Sequence, residues 1–268
     1  MKQYLDLLQK IKDEGIWTEN RTGIRTKSMN GEIMKFDHAD GFPILTTKKM
    51  AFQSIVGELL AFLSGSTDVR TFRDLGCNVW NANLDAPEWV AKRKDEFDLG
   101  CIYGKQWRDF SGVDQIKNLI DQIKNNPTSR RLIVSAWNPE ELDDMCLPPC
   151  HVLFQVIIRE NKFLDLLMFQ RSADFFLGVP YNITSYALLQ CILAKLTGYT
   201  PGIFTHFLGD LHIYENHMEQ VETQLSRPPR ALPFLIINPF DNIENLTLED
   251  FNLFCYDPWP AIKAPMAV

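Results

Sequence analysis

Pro148-Pro149-Cys150-His151 sets a thiol directly behind a diproline and ahead of a run that alternates like a strand. Proline fixes φ and lowers the entropy lost on folding, so the sulfur is held at a defined point. Taken alone, a single cysteine reads as a small core residue. Its surroundings argue for a nucleophile instead. Gln170-Arg171-Ser172 ends the run that would pair with this one, and a guanidinium beside a thiol favours the reactive thiolate. Arg21, Arg130, Arg131 and Arg171 sit in or next to turns and strand ends of an acidic chain. Scattered, they are solvated surface charges. Converging, they make a pocket for a dianion, because guanidinium forks match phosphate geometry. The sequence has no P-loop and no Gly-x-Gly-x-x-Gly fingerprint, which favours a monophosphate over a triphosphate or dinucleotide.

Four further positions carry usable chemistry. Glu58 lies inside Ile55-Val56-Gly57-Glu58-Leu59-Leu60-Ala61-Phe62-Leu63, a run too apolar for a surface helix. Burial raises a carboxyl pKa toward the range of an acid/base catalyst, although a buried acid satisfied by backbone or water is the plainer account. Asn182 opens a second apolar helix and suits its N-cap. Its amide also offers a donor and an acceptor together, which matches a pyrimidine edge. His212 and Tyr214 read first as residues at a helix start.

The elements that must position these groups follow from periodicity. Residues 3–14 predict a helix with Tyr4, Leu7, Leu8 and Ile11 on one face and Gly15 as the stop. Asn20-Arg21-Thr22-Gly23 is a turn with an exposed arginine. Residues 112–125 predict an amphipathic helix with Val113, Ile116, Ile120 and Ile123 as its stripe. Leu132–Trp137 is strand-like. From His151 the period is two, with Val152, Phe154, Val156 and Ile158 facing one way and His151, Leu153, Gln155 and Ile157 the other. Glu160-Asn161-Lys162 turns into Phe163–Gln170, an antiparallel hairpin. A helix over 182–197 ending at Gly198, a strand at 203–208, a helix near 213–225 and a strand at 234–238 complete the reading. Several strands are apolar on both faces, so one α/β domain over residues 1–268 is expected, a large mixed sheet with helices on one face and a second subunit on the other.

Composition closes off other classes. The chain has 268 residues, net charge −7 and an ordinary apolar fraction of 46%, which excludes a disordered or low-complexity protein and argues against a general nucleic-acid binder. It contains no run long enough to span a membrane, and Met1-Lys2-Gln3-Tyr4-Leu5-Asp6 has no apolar segment of a secretory signal, so a cytoplasmic protein is expected. None of the six cysteines forms a Cys-x-x-Cys pair and the five histidines make no zinc motif, so buried reduced thiols and no metal are expected.

These residues stand in segments that together resemble the thymidylate synthase family. The segments are Asn20-Arg21-Thr22-Gly23, Gly57-Glu58-Leu59-Leu60, Ile102-Tyr103-Gly104-Lys105-Gln106-Trp107-Arg108, Ser129-Arg130-Arg131, Leu147-Pro148-Pro149-Cys150-His151, Gln170–Gly178, Pro180-Tyr181-Asn182-Ile183, Gly209–Tyr214 and Ile262–Val268. Nine segments in the family's order, from end to end of the chain, make chance similarity negligible. The resemblance implies that Cys150 attacks C6 of dUMP, after which C5 attacks the one-carbon unit of 5,10-methylenetetrahydrofolate. It implies that Arg21, Arg171 and Ser172 bind the 5′-phosphate, with Arg130 and Arg131 given by the other subunit of a homodimer. Asn182 would read the uracil edge, and His212 and Tyr214 the ribose. Glu58 would relay protons with His151 and Tyr103, and Asp174 would hold the pterin next to the nucleotide. The folate would meet Lys48, Trp80, Asn83, Leu147, Leu177, Gly178 and Tyr181, with Ala267 and the carboxylate of Val268 closing over it.

Several departures from the family pattern would line or support that folate side. Asn81 replaces Asp after Trp80, Ala61 replaces Trp, Cys101 replaces Pro, Tyr181 replaces Phe and Trp259 replaces His, while Phe207-Leu208-Gly209 lacks the usual small pair. Related phage hydroxymethylases quench the methylene on C5 with water instead of hydride and also lose the Asp after the Trp. Methylation is the preferred reading and dUMP hydroxymethylation its alternative. A non-catalytic nucleotide- or RNA-binding relative is disfavoured by the intact Cys150, Glu58 and arginines. Asn182, not Asp, favours dUMP over dCMP.

Overall fold

The computed structural model describes residues 1–266; Ala267 and Val268, expected to close over the folate, lie outside the described residues. Six strands form one mixed sheet in the order β1-β2-β6-β5-β4-β3, and β7 (Phe234–Ile237) pairs with β8 (Phe251–Phe254) in a separate ribbon. β1 (Ile16–Thr18) and β2 (Thr26–Asp37) are antiparallel, and β2 runs antiparallel to β6 (Thr200–Tyr214). β5 (Phe163–Asp174) is parallel to β6 and antiparallel to β4 (His151–Arg159), which carries β3 (Ile133–Ser135) at the edge. The expected mixed α/β sheet is present.

One face of the sheet is covered by α8 (Gly178–Thr197), whose residues from Ile183 to Ala194 are all buried. α2 (Phe52–Leu63) and α7 (Gln115–Asn125) pack on α8, α1 (Lys2–Glu14) packs on β2 and β6 through Tyr4, Leu7, Leu8 and Ile11, and all join one hydrophobic core. Short helices α3 (Val69–Asp74), α4 (Asn81–Leu84), α5 (Pro87–Val90) and α6 (Tyr103–Arg108) connect α2 to α7, and α9 (Met218–Leu225) follows β6. Gly198 caps α8 in the left-handed region, with φ of 81°. Gly57 lets α2 lie directly on the turn after α3. A Cβ there would stand 2.0 Å from the Leu75 carbonyl oxygen, so this close approach fixes where Glu58 points.

The opposite face is open and apolar in a row. Ile33 pairs with Phe207, Phe207 with Phe169 and Phe169 with Leu153, so four adjacent strands present an apolar side chain at one level. Ile33 and Phe169 are exposed, with Ile133 and Ile157 nearby in the same state.

Several expected boundaries are corrected. α7 begins at Gln115 because the Asp114 carboxylate caps it by accepting from the Lys117 N–H at 2.9 Å, which leaves Val113 outside and exposed and brings Leu119 into the stripe. α8 begins at Gly178, so Asn182 is inside the helix and not its N-cap. β6 runs to Tyr214, so His212 and Tyr214 are strand residues, and α9 starts only at Met218. A β-irregularity between His151 and Leu153 turns His151 to the same buried side as Phe154 and Val156, against the simple alternation. All six cysteines are free, but only Cys77 and Cys191 are buried, and Cys255 is exposed.

Candidate active site

The sheet topology gathers the chemistry at one end. Parallel β5 and β6 both finish there, with Ser172 opposite Asp210 and Asp174 opposite His212. Antiparallel β4 begins there, with His151 opposite Gln170. The loop carrying Arg21 enters β2 at Thr26, opposite Tyr214 at the end of β6. α8 then rises from the same edge and carries Tyr181 and Asn182. Gly209 permits the close contact of β6 with β5, since a Cβ there would lie 2.9 Å from the Arg171 carbonyl oxygen.

Cys150 is fixed from two sides. Its N–H donates to the Tyr103 hydroxyl at 2.7 Å, and its carbonyl accepts from the Arg171 N–H at 2.8 Å. The Arg171 guanidinium donates to the Pro149 and Pro148 carbonyls at 2.8 and 3.0 Å and lies 5.3 Å from the centre of the Trp137 ring. The diproline and the arginine therefore brace each other directly behind the thiol. Burial raises the thiol above its ordinary range, and the opposing pull of Arg171 and Arg21 is the smaller effect, with Asp174 adding to the rise. Arg171 does favour the thiolate, as expected from its place in the hairpin, but burial outweighs it. The nearby arginines reduce the cost of forming the anion without overcoming desolvation.

Tyr103 spends its oxygen on the Cys150 N–H and keeps its own proton for another acceptor. Its ring stacks on His151 at 3.9 Å, and His151 Nδ1 meets the Tyr186 hydroxyl at 2.7 Å. Burial holds His151 down to about 3, with the nearby His206 adding to the effect, so the imidazole is neutral at any working pH. His151 thus acts as a neutral hydrogen-bonding group and ring support. The sequence did not single out Tyr186 or His206; a tyrosine in an apolar helix and a histidine in an apolar strand read simply as core.

Glu58 accepts from Trp80 Nε1 at 2.9 Å, and Trp80 packs edge-on to Phe62 and Tyr103. Desolvation raises Glu58 to about 7 against the pull of that hydrogen bond. It is neutral below that pH and a carboxylate above it, which suits proton transfer near neutrality. If Glu58 accepts a proton in turnover, kcat rises through a limb near pH 7. Trp80→Phe removes the donor that favours the carboxylate, so the limb moves to higher pH; Glu58→Gln abolishes the limb and costs roughly 10²–10³-fold. A pH–rate profile checks both, and a limb that moves down in Trp80→Phe contradicts the assignment.

Asp174 accepts from the Phe176 and Leu177 N–H groups at 3.1 Å each through one oxygen, which leaves the other open to donors of an incoming ring. Lys48 is buried nearby, donates to the Phe176 carbonyl and sits 3.7 Å from the centre of the Phe176 ring. Burial lowers Lys48 to about 7, opposed by Asp174. Leu147, Leu177, Gly178, Tyr181 and Asn83 are each partly exposed, while Trp80 is buried. Asn182 Oδ1 accepts from Gln170 Nε2 at 3.0 Å, and His212 Nδ1 meets Asp210 at 2.8 Å. Tyr214 lies edge-on to His212 at 5.3 Å.

Arg130 and Arg131 are the exception. Both are exposed just before β3, at the far edge of the sheet, and form no ion pair among the described residues. Among the described residues there is no group of three or more His, Cys, Asp or Glu able to hold a metal and no helix long and apolar enough to cross a membrane. A surface cavity of about 440 Å³ lined by Arg108, Asp114, Lys117 and Glu244 contains none of the residues of the Cys150 cluster.

The family model described as thymidylate synthase matches residues 2–268. The chain belongs to the thymidylate synthase family. Membership supports a thymidylate synthase-type transferase that moves a one-carbon group to C5 of a pyrimidine nucleotide with methylenetetrahydrofolate as co-substrate. In thymidylate synthase terms the half-buried Cys150 thiol, the carboxyl near 7 and the amide on α8 form one constellation at the sheet end. One oxygen of Asp174 takes no hydrogen bond among the described residues, and Leu177 and the Phe176 ring lie in the same turn, a mix of acceptor and apolar surface compatible with the folate the family uses.

Proposed function

We propose that the chain methylates dUMP at C5 with 5,10-methylenetetrahydrofolate, giving dTMP and dihydrofolate. The observation that carries the reading is the convergence of Cys150, Tyr103, Glu58 and Asn182 on one end of the sheet, with Arg171 braced behind the thiol. Cys150 Sγ adds to C6, which makes C5 nucleophilic. The folate supplies the one-carbon unit and the hydride. Glu58 takes the C5 proton through water, with the free proton of Tyr103 completing the relay, and expulsion of Cys150 from C6 regenerates the ring. Arg21, Arg171 and Ser172 hold the phosphate, His212 and Tyr214 the ribose, and Asn182 the base edge. Trp80, Asn83, Leu147, Leu177, Gly178, Tyr181, Lys48 and Asp174 form the folate side.

A homodimer is part of the reading. The apolar row Ile33, Phe207, Phe169 and Leu153 suits a second copy of the same face, and the exposed Arg130 and Arg131 then serve the neighbouring phosphate. The acidic charge and the family support a protein of nucleotide metabolism in the cytoplasm with no nucleic-acid partner.

One feature favours a second outcome, dUMP hydroxymethylation. Tyr181 has a hydroxyl where the family usually has Phe, and it lies within electrostatic reach of Glu58, so a water beside that carboxyl gains a further hydrogen-bonding partner. Incubation with dUMP and methylenetetrahydrofolate separates the outcomes. Methylation yields dihydrofolate absorbance and dTMP by mass; hydroxymethyl-dUMP without dihydrofolate supports the second reading, and no nucleotide product refutes both.

A further inference from the structure

The hydrogen-bond polarity of the buried chain that ends on Asn182 can be read from a single backbone carbonyl. The Ser172 carbonyl only accepts, and Gln170 Nε2 lies 2.9 Å from it, so the Gln170 amide nitrogen must face that way. The second proton of the same nitrogen goes to Asn182 Oδ1 at 3.0 Å. Gln170 Oε1 is thereby turned to His206 Nε2 at 2.8 Å, and an amide oxygen only accepts, so His206 carries its proton on Nε2. Nδ1 of His206 is then a bare lone pair. It is a buried atom without a hydrogen-bond partner among the described residues. His206 is fully buried, stacked on Phe204 at 5.7 Å, with Met34 and Met168 as its cross-strand neighbours. An apolar ring would fill this place without an unpaired nitrogen, so packing alone does not account for a histidine.

We propose that His206 is a positioning residue for base recognition: by donating to Gln170 it fixes the amide of Asn182 with Oδ1 toward Gln170 and the Nδ2 donor free for the nucleotide. Asn182 then offers uracil a donor for O4 and, through the second lone pair of Oδ1, an acceptor for N3–H. Cytosine presents the opposite pattern and meets donor against donor. The relay spans β6, β5 and α8, none of which needs to move for the base to be read. The inference rests on the reading of Asn182 as the base contact, and Asn182→Asp tests that reading separately.

The experiment compares Kd for dUMP and dCMP by calorimetry, and KM for methylenetetrahydrofolate, in wild type, His206→Phe, His206→Gln and Asn182→Asp. His206→Phe keeps a ring and loses the donor, so the preference for dUMP is expected to fall by about tenfold or more with the folate KM unchanged. His206→Gln restores a donor at similar reach and recovers most of the preference. In the wild type, histidine ¹⁵N spectra should show His206 as the Nε2–H tautomer with no titration between about pH 5 and 9, since burial lowers it to about 3. An Nδ1–H tautomer or a cation overturns the relay, whether or not the variants fold. So does a folded His206→Phe that binds both nucleotides more weakly in equal proportion, or with unchanged preference. If Asn182→Asp alters preference while His206→Phe does not, the relay fails and the reading of Asn182 stands; if neither does, both fall.

Discussion

Cys150→Ala is expected to lose at least about 10³-fold in turnover while keeping its fold and Tm, because the reaction has no other route to activate C5. With 5-fluoro-dUMP and methylenetetrahydrofolate, the wild type should form a covalent complex that survives denaturation, since fluorine at C5 cannot leave as a proton. The variant should form none. Cys146, four residues away, is the natural control. Burial pushes its thiol up to about 12, with Asp98 adding to the rise, and no arginine acts on it. Cys150 differs in having Arg171 and Arg21 to oppose the rise. Peptide mapping of the complex should find the nucleotide on Cys150, and an adduct on Cys146 contradicts the assignment.

The second large effect is expected between two inactive chains. Cys150→Ala lacks a nucleophile, and an Arg130/Arg131 double variant lacks the two guanidiniums that a partner's phosphate requires. Each homodimer should be nearly inactive. Mixed and allowed to exchange subunits, they should regain activity, because one of the two sites in the heterodimer has an intact Cys150 facing intact Arg130 and Arg131. The ceiling is about a quarter of wild type, as half the dimers in a random mixture are heterodimers and each has one good site. Exchange is followed independently by fluorescence transfer between labelled chains. Exchange without rescue means that these arginines do not serve a neighbouring site.

Much of the fold is legible because it is periodic. The β4–β5 hairpin alternates, and α1 and α7 have clean apolar stripes. β2 escapes the same reading. Thr26–Asp37 is mostly polar and partly exposed, its strand character comes from pairing with β6 along eleven positions, and Gly31 in the left-handed region interrupts the pattern. The ends of α8 and β6 were misplaced for a related reason. Pro180 in the first turn of α8 reads as a boundary although proline is tolerated there, and β6 extends past Gly209 because β2 and β5 lie alongside it. The irregularity at His151 is a pairing property that no periodicity reveals.

The candidate site divides the same way. Cys150, Glu58, Asn182 and the arginines are legible one at a time as residues with usable chemistry. Their partners are not. Trp80 lies 22 residues from Glu58 and Tyr103 lies 47 from Cys150, so their hydrogen bonds exist only once α2, α4 and α6 have packed. The direction of the thiol's shift was also beyond reach of the sequence, because it is a contest between burial and two guanidiniums whose distances the fold decides. Arg130 and Arg131 are exposed at the far edge of the sheet, apart from the cluster in one chain, as their proposed role at a neighbouring site requires.

The most direct measurement of the central claim is the fate of the hydrogen on C5. With dUMP carrying tritium at C5, the account predicts that label appears in water in step with nucleotide product, only when methylenetetrahydrofolate is present, and not with Cys150→Ala. Both methylation and hydroxymethylation require that release, so it tests the C5 transfer itself rather than the choice of quench. Product formed with tritium retained on the ring, or release undiminished in Cys150→Ala, would contradict it.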